Sequence, residues 1–434
     1  MPRFTRDRTT WLAYAQLGLW GFFLYGFGPV VPLLRDEQGT SAAVAGLHST
    51  GIAVGSLLGG ALFAPLARRV GRGAAIWTGL AGVAAGVTAF GVARPLPATI
   101  AAVVVIATFG MIVISGVAVV LTARHGPAAP AALTEANAAC AGLGILAPVV
   151  IGASVDAGWG WRPVMAVEVG LIALVALAFG VRPRQTAPAA AAPGGPVAVP
   201  AAPAVPAVTP GNGMDLGRNR PLRGPESSKI SSAGGQLPAA YWIAWTLMAV
   251  TGSIEVCLSL WTADVLRDHS GLDAGAASAA VAAIVGGMFV GRLVGGRFAL
   301  RYRPVPLLLG ALGVSLAGFT IFWTAPVGWL AVVGLVVLGL GNALHYPLAI
   351  SIALAVAGPA ADKAAGWASY SMGVGFGIAP VALGWLADGV GPYLAFLLLP
   401  GFIAAAAVLA TRLGRALHAG TPADDPQPTP VGAG

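Results

Sequence analysis

The chain has 434 residues, 57% of them hydrophobic and only 9% charged. Soluble domains carry about 25% charged residues, so this composition excludes an ordinary water-soluble protein. The 24 Lys and Arg residues outnumber the 16 Asp and Glu residues, which gives a formal net charge of +8. Basic loops of a membrane protein account for such an excess, so we expect no nucleic-acid partner.

Twelve apolar segments follow one another, each of roughly the 20 residues that a helix needs to cross a bilayer. Backbone polar groups cannot remain unpaired in lipid, so these segments are predicted to be α-helices. The first six are predicted near 10–34, 42–67, 74–93, 97–123, 132–154 and 163–181. The second six are predicted near 240–265, 275–300, 304–325, 328–357, 364–387 and 392–412.

A segment of different composition separates the two sets of six. Residues 185–237 are rich in Ala, Pro and Val and then in Gly, Ser and Arg, which predicts an extended or disordered cytoplasmic linker. Residues 1–184 and 238–418 are then an N-terminal and a C-terminal six-helix bundle. Residues 419–434 are predicted to form a disordered cytoplasmic tail.

The basic residues set the expected orientation. With the N-terminus in the cytoplasm, the outer loops hold only Arg35, Arg94, Arg162 and Arg267. This positive-inside pattern predicts a multi-pass protein of the plasma membrane with both termini in the cytoplasm. The first apolar segment is too long for a cleavable signal peptide and lacks a small-residue cleavage site.

The two halves share residues at a constant offset of 232 positions, which predicts two copies of one fold with a binding site between them. Any single match is weak in a chain rich in Gly and Ala, but the series aligns without a gap. The matches are Arg35, Asp36 and Gly39 with Arg267, Asp268 and Gly271, Arg69 with Arg301, and Pro148, Gly152 and Asp156 with Pro380, Gly384 and Asp388.

The loop after the second segment reads Ala64-Pro65-Leu66-Ala67-Arg68-Arg69-Val70-Gly71-Arg72, and Gly291 to Arg297 followed by Arg301 is its degenerate copy. With twelve segments in two halves, this resembles the major facilitator superfamily. The resemblance implies an all-α polytopic membrane protein with two pseudo-symmetric six-helix bundles. In that family these loops latch the cytoplasmic face, which implies gating roles for Arg69, Arg72, Arg292 and Arg301. The family's usual Asp and Gly are replaced here by Arg68 and Ala64, so the acid of the family's motif is missing from this loop.

The fifth and eleventh segments carry a proline followed four residues later by a glycine, at Pro148 and Gly152 and at Pro380 and Gly384. The run from Ala147 to Gly152 is similar to one in exporters of the superfamily. Proline bends a helix and glycine permits close approach of a neighbour, so we expect bent, closely packed gating helices. This physical argument applies to import and export alike.

Glu255 lies near the middle of the seventh segment, with Thr251, Ser259 and Thr262 on the same helical face. An ionisable group at this depth costs at least ~2.5–3.5 kcal/mol, so it needs a partner or a function. Glu255 is our candidate proton carrier, and Thr251 and Ser259 are candidates for the pathway beside it. The alternative is a protonated glutamic acid that only packs.

Further candidates for the substrate or proton pathway lie in the tenth and first segments. Asn342, His345 and Tyr346 share one face, and Pro347 is expected to loosen the helix there. Aromatic faces more often only pack, but the repeat matches Phe23, on the face of Gln16 and Trp20, with Glu255. The first-segment candidates are therefore Gln16 and Trp20, and weaker candidates are Tyr25, Asn137, Trp367 and Tyr370.

Arg292 has two interpretations. A cavity-facing arginine would bind an anionic substrate, because a guanidinium group matches a carboxylate in geometry and charge. Its place in the motif-like stretch favours the cytoplasmic latch instead, where the side chain can extend toward the inner surface.

The sequence contains no P-loop, which disfavours an ATP-driven pump. It has no ordered His/Cys cluster and no catalytic constellation, so we expect no metal, no cofactor and no enzymatic activity. We expect a monomeric secondary transporter in the lipid bilayer. The first hypothesis is proton-coupled movement of a small organic solute, directed outward for an amphipathic compound. The alternatives are an uptake permease for a sugar or organic acid and, third, a non-transporting membrane sensor.

Overall fold

The computed structural model describes residues 6–180, 237–299 and 301–419, and every regular element in these ranges is a helix. Twelve spans are long and apolar enough to cross a membrane, as predicted. The predicted linker lies outside the described residues except for Leu237, and so does the tail beyond Ala419. The helices are α1 (Arg8–Gln38), α2 (Ala42–Val70), α3 (Arg72–Val92), α4 (Leu96–His125), α5 (Ala129–Asp156), α6 (Arg162–Phe179), α7 (Ala239–Ser270), α8 (Ala274–Ala280), α9 (Ala282–Ala299), α10 (Pro304–Thr324), α11 (Gly328–Asn342), α12 (His345–Ala357), α13 (Ala361–Val390), α14 (Pro392–Ala395) and α15 (Leu398–Ala419).

Three spans are built from two helices each: α8 with α9, α11 with α12, and α14 with α15. In the tenth span, α11 ends at Asn342 and α12 begins at His345. Pro347 has no N–H to donate to the carbonyl of Ala343, so the helical bonds are interrupted there. The expected loosening by Pro347 is therefore a break that separates Asn342 from His345.

The ends of α1 show how local sequence sets a span. Asp7 caps the start, because its carboxylate accepts hydrogen bonds from the Thr10 N–H and hydroxyl. Partial burial opposes ionisation of Asp7, but the Thr10 hydrogen bonds and the Arg124 guanidinium outweigh it and lower its pKa to about 2. Gly39 ends the helix at φ 61°, in the left-handed region that favours glycine. Its partner in the repeat, Gly271, ends α7 in the same way at φ 62°.

The same neighbour relations recur in the two halves, as a repeated fold requires. Each half is a bundle of six spans, and equivalent spans pack in equivalent pairs. In the first half the pairs are α1 with α5, α2 with α4, α3 with α4 and α3 with α6; in the second they are α7 with α13, α9 with α11, α10 with α11 and α10 with α15.

Because twelve spans alternate in direction, α1 begins and α15 ends at one face, here called the terminal face. The opposite face is called the distal face. Across the halves, α2 packs against α13, α5 packs against α8 and α9, and α1 packs against α7. The repeat matches α2 with the α8–α9 span and α5 with α13. The contact of α2 with α13 and the contact of α5 with α8 and α9 are therefore equivalent under the pseudo-twofold relation.

Candidate functional site

Paired charges join the two halves at the distal face. Arg35 of α1 donates two hydrogen bonds to the carboxylate of Asp264 of α7, at 2.5 and 3.0 Å. Asp264 is only 3% exposed. Arg267 forms an ion pair with Asp36 at 2.8 Å. The Arg-Asp dipeptide repeated in the sequence therefore contributes to a charged contact between the halves.

The α2–α13 contact is close enough to involve the backbone. Asp388 accepts hydrogen bonds from the N–H groups of Ala42 and Ala43, at 2.7 and 3.0 Å. These are the first residues of α2, where the helix dipole favours a negative charge. A Cβ on Gly384 would lie 2.5 Å from the Ala42 carbonyl oxygen, so only glycine fits there.

The α5–α8 contact repeats this arrangement. A Cβ on Gly152 would lie 2.6 Å from the Gly275 carbonyl oxygen, near the start of α8. The carboxylate of Asp156 lies directly beside Gly275. Gly152 and Gly384, predicted to belong to the gating machinery, thus occupy equivalent places in two contacts that join the halves. Pro148 and Pro380 lie inside α5 and α13. Each of these helices packs against the opposite half.

The terminal face differs. In the part of the chain that the structure describes, polar contacts there stay within one half: Arg6, just before α1, donates to Glu135, and the Tyr241 hydroxyl donates to the Ala364 carbonyl at 2.6 Å. The predicted latch residues Arg69, Arg72 and Arg301 are exposed, and within the described ranges they form no ion pair.

A cavity of about 240 Å³ lies between the halves, on the terminal side of the distal contacts. Seven spans contribute to its wall: α1, α4, α5, α7 through Glu255, α9, the α11–α12 span and α13. Most lining groups are apolar, including Leu17, Trp20, Leu24, Met372 and Phe376. The polar or ionisable lining residues are Tyr25, Asn137, Cys140, Glu255, Arg292, Asn342 and Tyr346.

A second cavity of about 70 Å³ lies on the distal side of the first. It is lined by Phe27, Ile52, Val256, Leu260, Ile284 and further apolar side chains, with Ser259 at its edge. Leu24, Tyr25, Glu255 and Phe376 line both cavities and therefore form the wall between them.

A charged cluster lies at this wall, formed by Glu255 within it and Arg292 beside it in the larger cavity. Arg292 of α9 donates a hydrogen bond to the Tyr25 hydroxyl of α1 at 3.1 Å, which links the two halves. A terminal nitrogen of Arg292 lies 4.0 Å from a carboxylate oxygen of Glu255, too far for a hydrogen bond. Both charged side chains are about a quarter exposed, at 24% and 25%. Arg292 Nε is buried without a hydrogen-bond partner, as is Asn342 Oδ1.

The structure gathers some of the predicted pathway residues and separates others. Glu255, Asn342, Tyr346 and Trp20 line the larger cavity, and Ser259 lines the smaller one. The other four line neither cavity. The Thr251 hydroxyl donates a hydrogen bond to the Met248 carbonyl of its own helix, and the His345 ring contacts the Ser315 hydroxyl at 3.1 Å. Gln16 is buried within α1, and Tyr370 is about half exposed next to Trp367.

Arg292 was expected to act at the cytoplasmic latch, but the structure places it in the cavity wall, apart from Arg69 and Arg72. Beside it, Gly291 and Gly295 let α9 approach the α11–α12 span closely at the residues Leu340, Ala343 and Leu344.

Several cavity residues were not singled out from sequence, although the repeat carried the signal. The offset of 232 positions relates many lining residues to each other, including apolar ones that attract no attention alone. The pairs are Leu24 with Val256, Phe27 with Ser259 and Ile52 with Ile284 in the smaller cavity, and Ile114 with Tyr346 and Cys140 with Met372 in the larger.

A family model described as Major Facilitator Superfamily matches residues 15–361 and 239–433. A search of curated proteins gives no match.

Solved structures with similar folds cover nearly the whole chain. A bacterial homologue of the human lysosomal transporter Spinster, inward-facing and unoccupied, has a TM-score of 0.69 and 14% identity over 96% of this chain and 99% of its own. A mutant of the nucleoside transporter NupG has a TM-score of 0.68 and 13% identity, over 94% and 98%. The Escherichia coli transporter FucP in the outward conformation has a TM-score of 0.57 and 17% identity, over 93% and 98%. Identities this low show a shared fold.

Proposed function

The chain belongs to the Major Facilitator Superfamily, a family of secondary transporters that work by alternating access, and we propose that it couples movement of a small organic solute to protons. The observation that carries the proposal is the position of Glu255. Its carboxyl group lies in the wall between two cavities, beside the Arg292–Tyr25 hydrogen bond that links the halves. A titratable group at the point where two bodies meet can bias their relative motion by its charge.

The orientation follows from the basic loops. With both termini in the cytoplasm, the terminal face is cytoplasmic and the distal face is external. The larger cavity then belongs to a state that is closed outside and accessible from inside. We place this multi-pass protein in the plasma membrane as a monomer of two bundles, 1–184 and 238–418, joined by a linker at 185–237.

Glu255 is the proposed proton carrier. In its ionised form it attracts Arg292, and in its neutral form it leaves the guanidinium charge uncompensated. Either change alters the contact between Arg292 and Tyr25, and therefore the balance between the two states of the transporter. The solved structures of a fucose:proton symporter and a D-xylose-proton symporter share this fold, which makes proton coupling a natural expectation.

The cavity supports a small solute with apolar and polar parts. Its volume of about 240 Å³ lies below the roughly 300–1,000 Å³ of pockets that hold drug-sized ligands. The proposed contacts are Trp20 on the apolar side and Asn342 and Tyr346 on the polar side. Ser259, which lines the second cavity, is the proposed contact near the other end of the solute. Gln16, Thr251, His345 and Tyr370 have weaker support, because they line neither cavity.

The two candidates are export of an amphipathic compound and uptake of an organic acid, and one observation favours an acidic solute. Export of an amphipathic compound suits the largely apolar lining. However, the presence of Arg292 in the wall supports recognition of an anion.

A thermal-shift screen of the purified protein against a broad solute library at two pH values tests the proposal. Ligands that bind the folded state raise the melting temperature, so a hit identifies the solute class. We expect hits whose affinity depends on pH in the wild type and is independent of pH in Glu255→Gln. Transport of the hit into proteoliposomes should then respond to an imposed pH gradient.

Glu168→Gln is the matched control. Glu168 is a fully buried glutamic acid of α6 that lines neither cavity, so its substitution should leave the pH dependence intact. Equal binding in the wild type and Glu255→Gln at both pH values would assign Glu255 a purely structural role.

A further inference from the structure

The chemistry of the cavity wall points to a particular class of solute, which rests on the proposed function. We infer that the solute is a small organic monoanion with an apolar part, and that it binds together with the proton on Glu255. Its carboxylate lies on Arg292, and its apolar part extends into the smaller, distal cavity.

The first argument is the state of the Arg292 guanidinium. One nitrogen donates to the Tyr25 hydroxyl, Nε is buried with no partner, and the nearest Glu255 oxygen is 4.0 Å away. Donors therefore remain free in a wall that is mostly apolar. A carboxylate can accept two hydrogen bonds from such a group in the planar, bidentate geometry that arginine favours.

The second argument is charge balance. Glu255 and Arg292 are the charged residues among those that line the two cavities. The other titratable groups that face Glu255 are neutral in their ordinary forms: Tyr25 from α1, Cys140 from α5 and Tyr346 from α12. The remaining neighbours carry no titratable group: Asn342 of α11, and Met372 and Phe376 of α13. The empty cavity is neutral when Glu255 is ionised.

An added anion makes the cavity negative unless Glu255 takes up a proton. Because uncompensated charge is costly in an apolar site, the anion and the proton should bind cooperatively. The loaded cavity is then neutral again, with Arg292 balancing the carboxylate and Glu255 protonated. A dianion would leave one charge unbalanced, and a cation would face the guanidinium.

The third argument concerns the apolar part of the solute. The smaller cavity shares Glu255 and Tyr25 with the larger one, so it begins beside the position of the carboxylate. Apart from Ser259, its other lining residues are apolar, including Phe27, Ile52 and Ile284. Its volume of about 70 Å³ is under a third of that of the larger cavity, which favours a short aliphatic chain or a single ring.

Titration calorimetry of the purified full-length protein with benzoate tests the inference, since benzoate is ionised at both pH 6 and pH 8. We expect affinity to rise by about tenfold for each unit of falling pH while one proton is taken up per anion. In Glu255→Gln, which mimics the protonated acid, benzoate should bind with no pH dependence and at least as tightly as in the wild type at pH 6.

Removal of the charge on Arg292 should weaken benzoate binding by about 10- to 100-fold at pH 6, the range expected for a hydrogen bond to a charged group. Arg292→Lys keeps the charge without the planar fork and should recover part of the lost affinity relative to Arg292→Gln. The neutral isostere benzamide should bind the wild type as weakly as benzoate binds Arg292→Gln. Succinate, a dianion, should bind more weakly than butyrate.

The apolar subsite is tested with acetate, propionate and butyrate. Each added methylene that enters the smaller cavity should tighten binding about fourfold, equivalent to about 0.8 kcal/mol. Val285→Phe fills this cavity and should remove the chain-length dependence while acetate binding persists.

Failure of this inference can be told apart from failure of the proposed function. If a neutral or cationic solute binds with a pH dependence that Glu255→Gln abolishes, and benzoate does not bind, the role of Glu255 as proton carrier is supported and the proposal of an anionic solute is wrong. If benzoate binds Arg292→Gln as well as it binds the wild type, the carboxylate site is overturned. If benzoate needs Arg292 but binds identically at both pH values, the coupling to Glu255 is overturned.

Discussion

The two halves of the protein are in close contact at the distal face, whereas several charged residues of the terminal face are exposed. At the distal face, helices pack closely at Gly152 and Gly384, and Asp388 accepts hydrogen bonds from two backbone N–H groups. Arg35 also pairs there with the buried Asp264. At the terminal face, Arg69, Arg72 and Arg301 are exposed. This state therefore depends on close distal contacts, whereas Arg69, Arg72 and Arg301 at the terminal face remain solvated. Substitutions at the two faces should therefore differ in effect.

The largest expected effect follows removal of Arg35. Arg35→Gln leaves Asp264 buried without its bidentate partner, and loss of one member of a buried pair costs about 3–5 kcal/mol. The distal face should open in a larger fraction of molecules. Spin labels on cysteines at positions 40 and 394, in a background lacking Cys140 and Cys257, would report this as a longer distance.

Arg267→Gln is the control at the same face. Its ion pair with Asp36 is partly exposed, with side chains 31% and 42% accessible, and its nitrogen lies 3.9 Å from Asp264, beyond hydrogen-bond distance, so a smaller change than that of Arg35→Gln is expected. Equal opening in the two variants would contradict a special role for the buried pair.

A glycine substitution should have the next largest effect. Gly384→Ala places a methyl group 2.5 Å from the Ala42 carbonyl oxygen, so α13 must move away from α2. Overpacking of this kind costs about 1–3 kcal/mol. The label distance should again lengthen. Gly389→Ala, on the same helix with open space around it, should leave the distance unchanged; a shift there would mean that helix propensity rather than contact controls the closure.

The smallest effect is expected at the terminal face. Arg69→Gln removes an exposed charge that has no ion pair in the described part of the chain, and such changes are usually within about 0.5 kcal/mol. The distal label distance should stay at its wild-type value. A change as large as that of Arg35→Gln would show that the terminal loop influences this state after all.

The spans and the repeat could be predicted from sequence because bilayer thickness sets helix length and because duplicated residues keep their spacing. The matched pairs Gly39 with Gly271 and Gly152 with Gly384 have equivalent structural positions. The importance of Glu255 could also be predicted, since a carboxyl at mid-membrane is costly. These inferences needed no knowledge of how one helix is rotated against another.

The lining of the cavity depended on that rotation. Thr251 and Ser259 lie one turn on either side of Glu255, yet Ser259 reaches the smaller cavity and Thr251 bonds to its own helix. The break after Asn342 gives His345 a different direction, toward Ser315. Arg292 could not be assigned to the cavity from its motif, because the depth of a side chain depends on how closely α9 packs.

The twin contacts of α2 with α13 and of α5 with α8 have the geometry of an isologous dimer, in which one surface patch serves both partners. In a true homodimer every substitution occurs twice. Here the two copies of the patch belong to one chain, so each can change alone. Asp388 keeps two backbone hydrogen bonds, while Asp156 lies beside Gly275 in the other copy. Because both halves belong to one chain, the two equivalent contacts can diverge in sequence while both still hold the halves together.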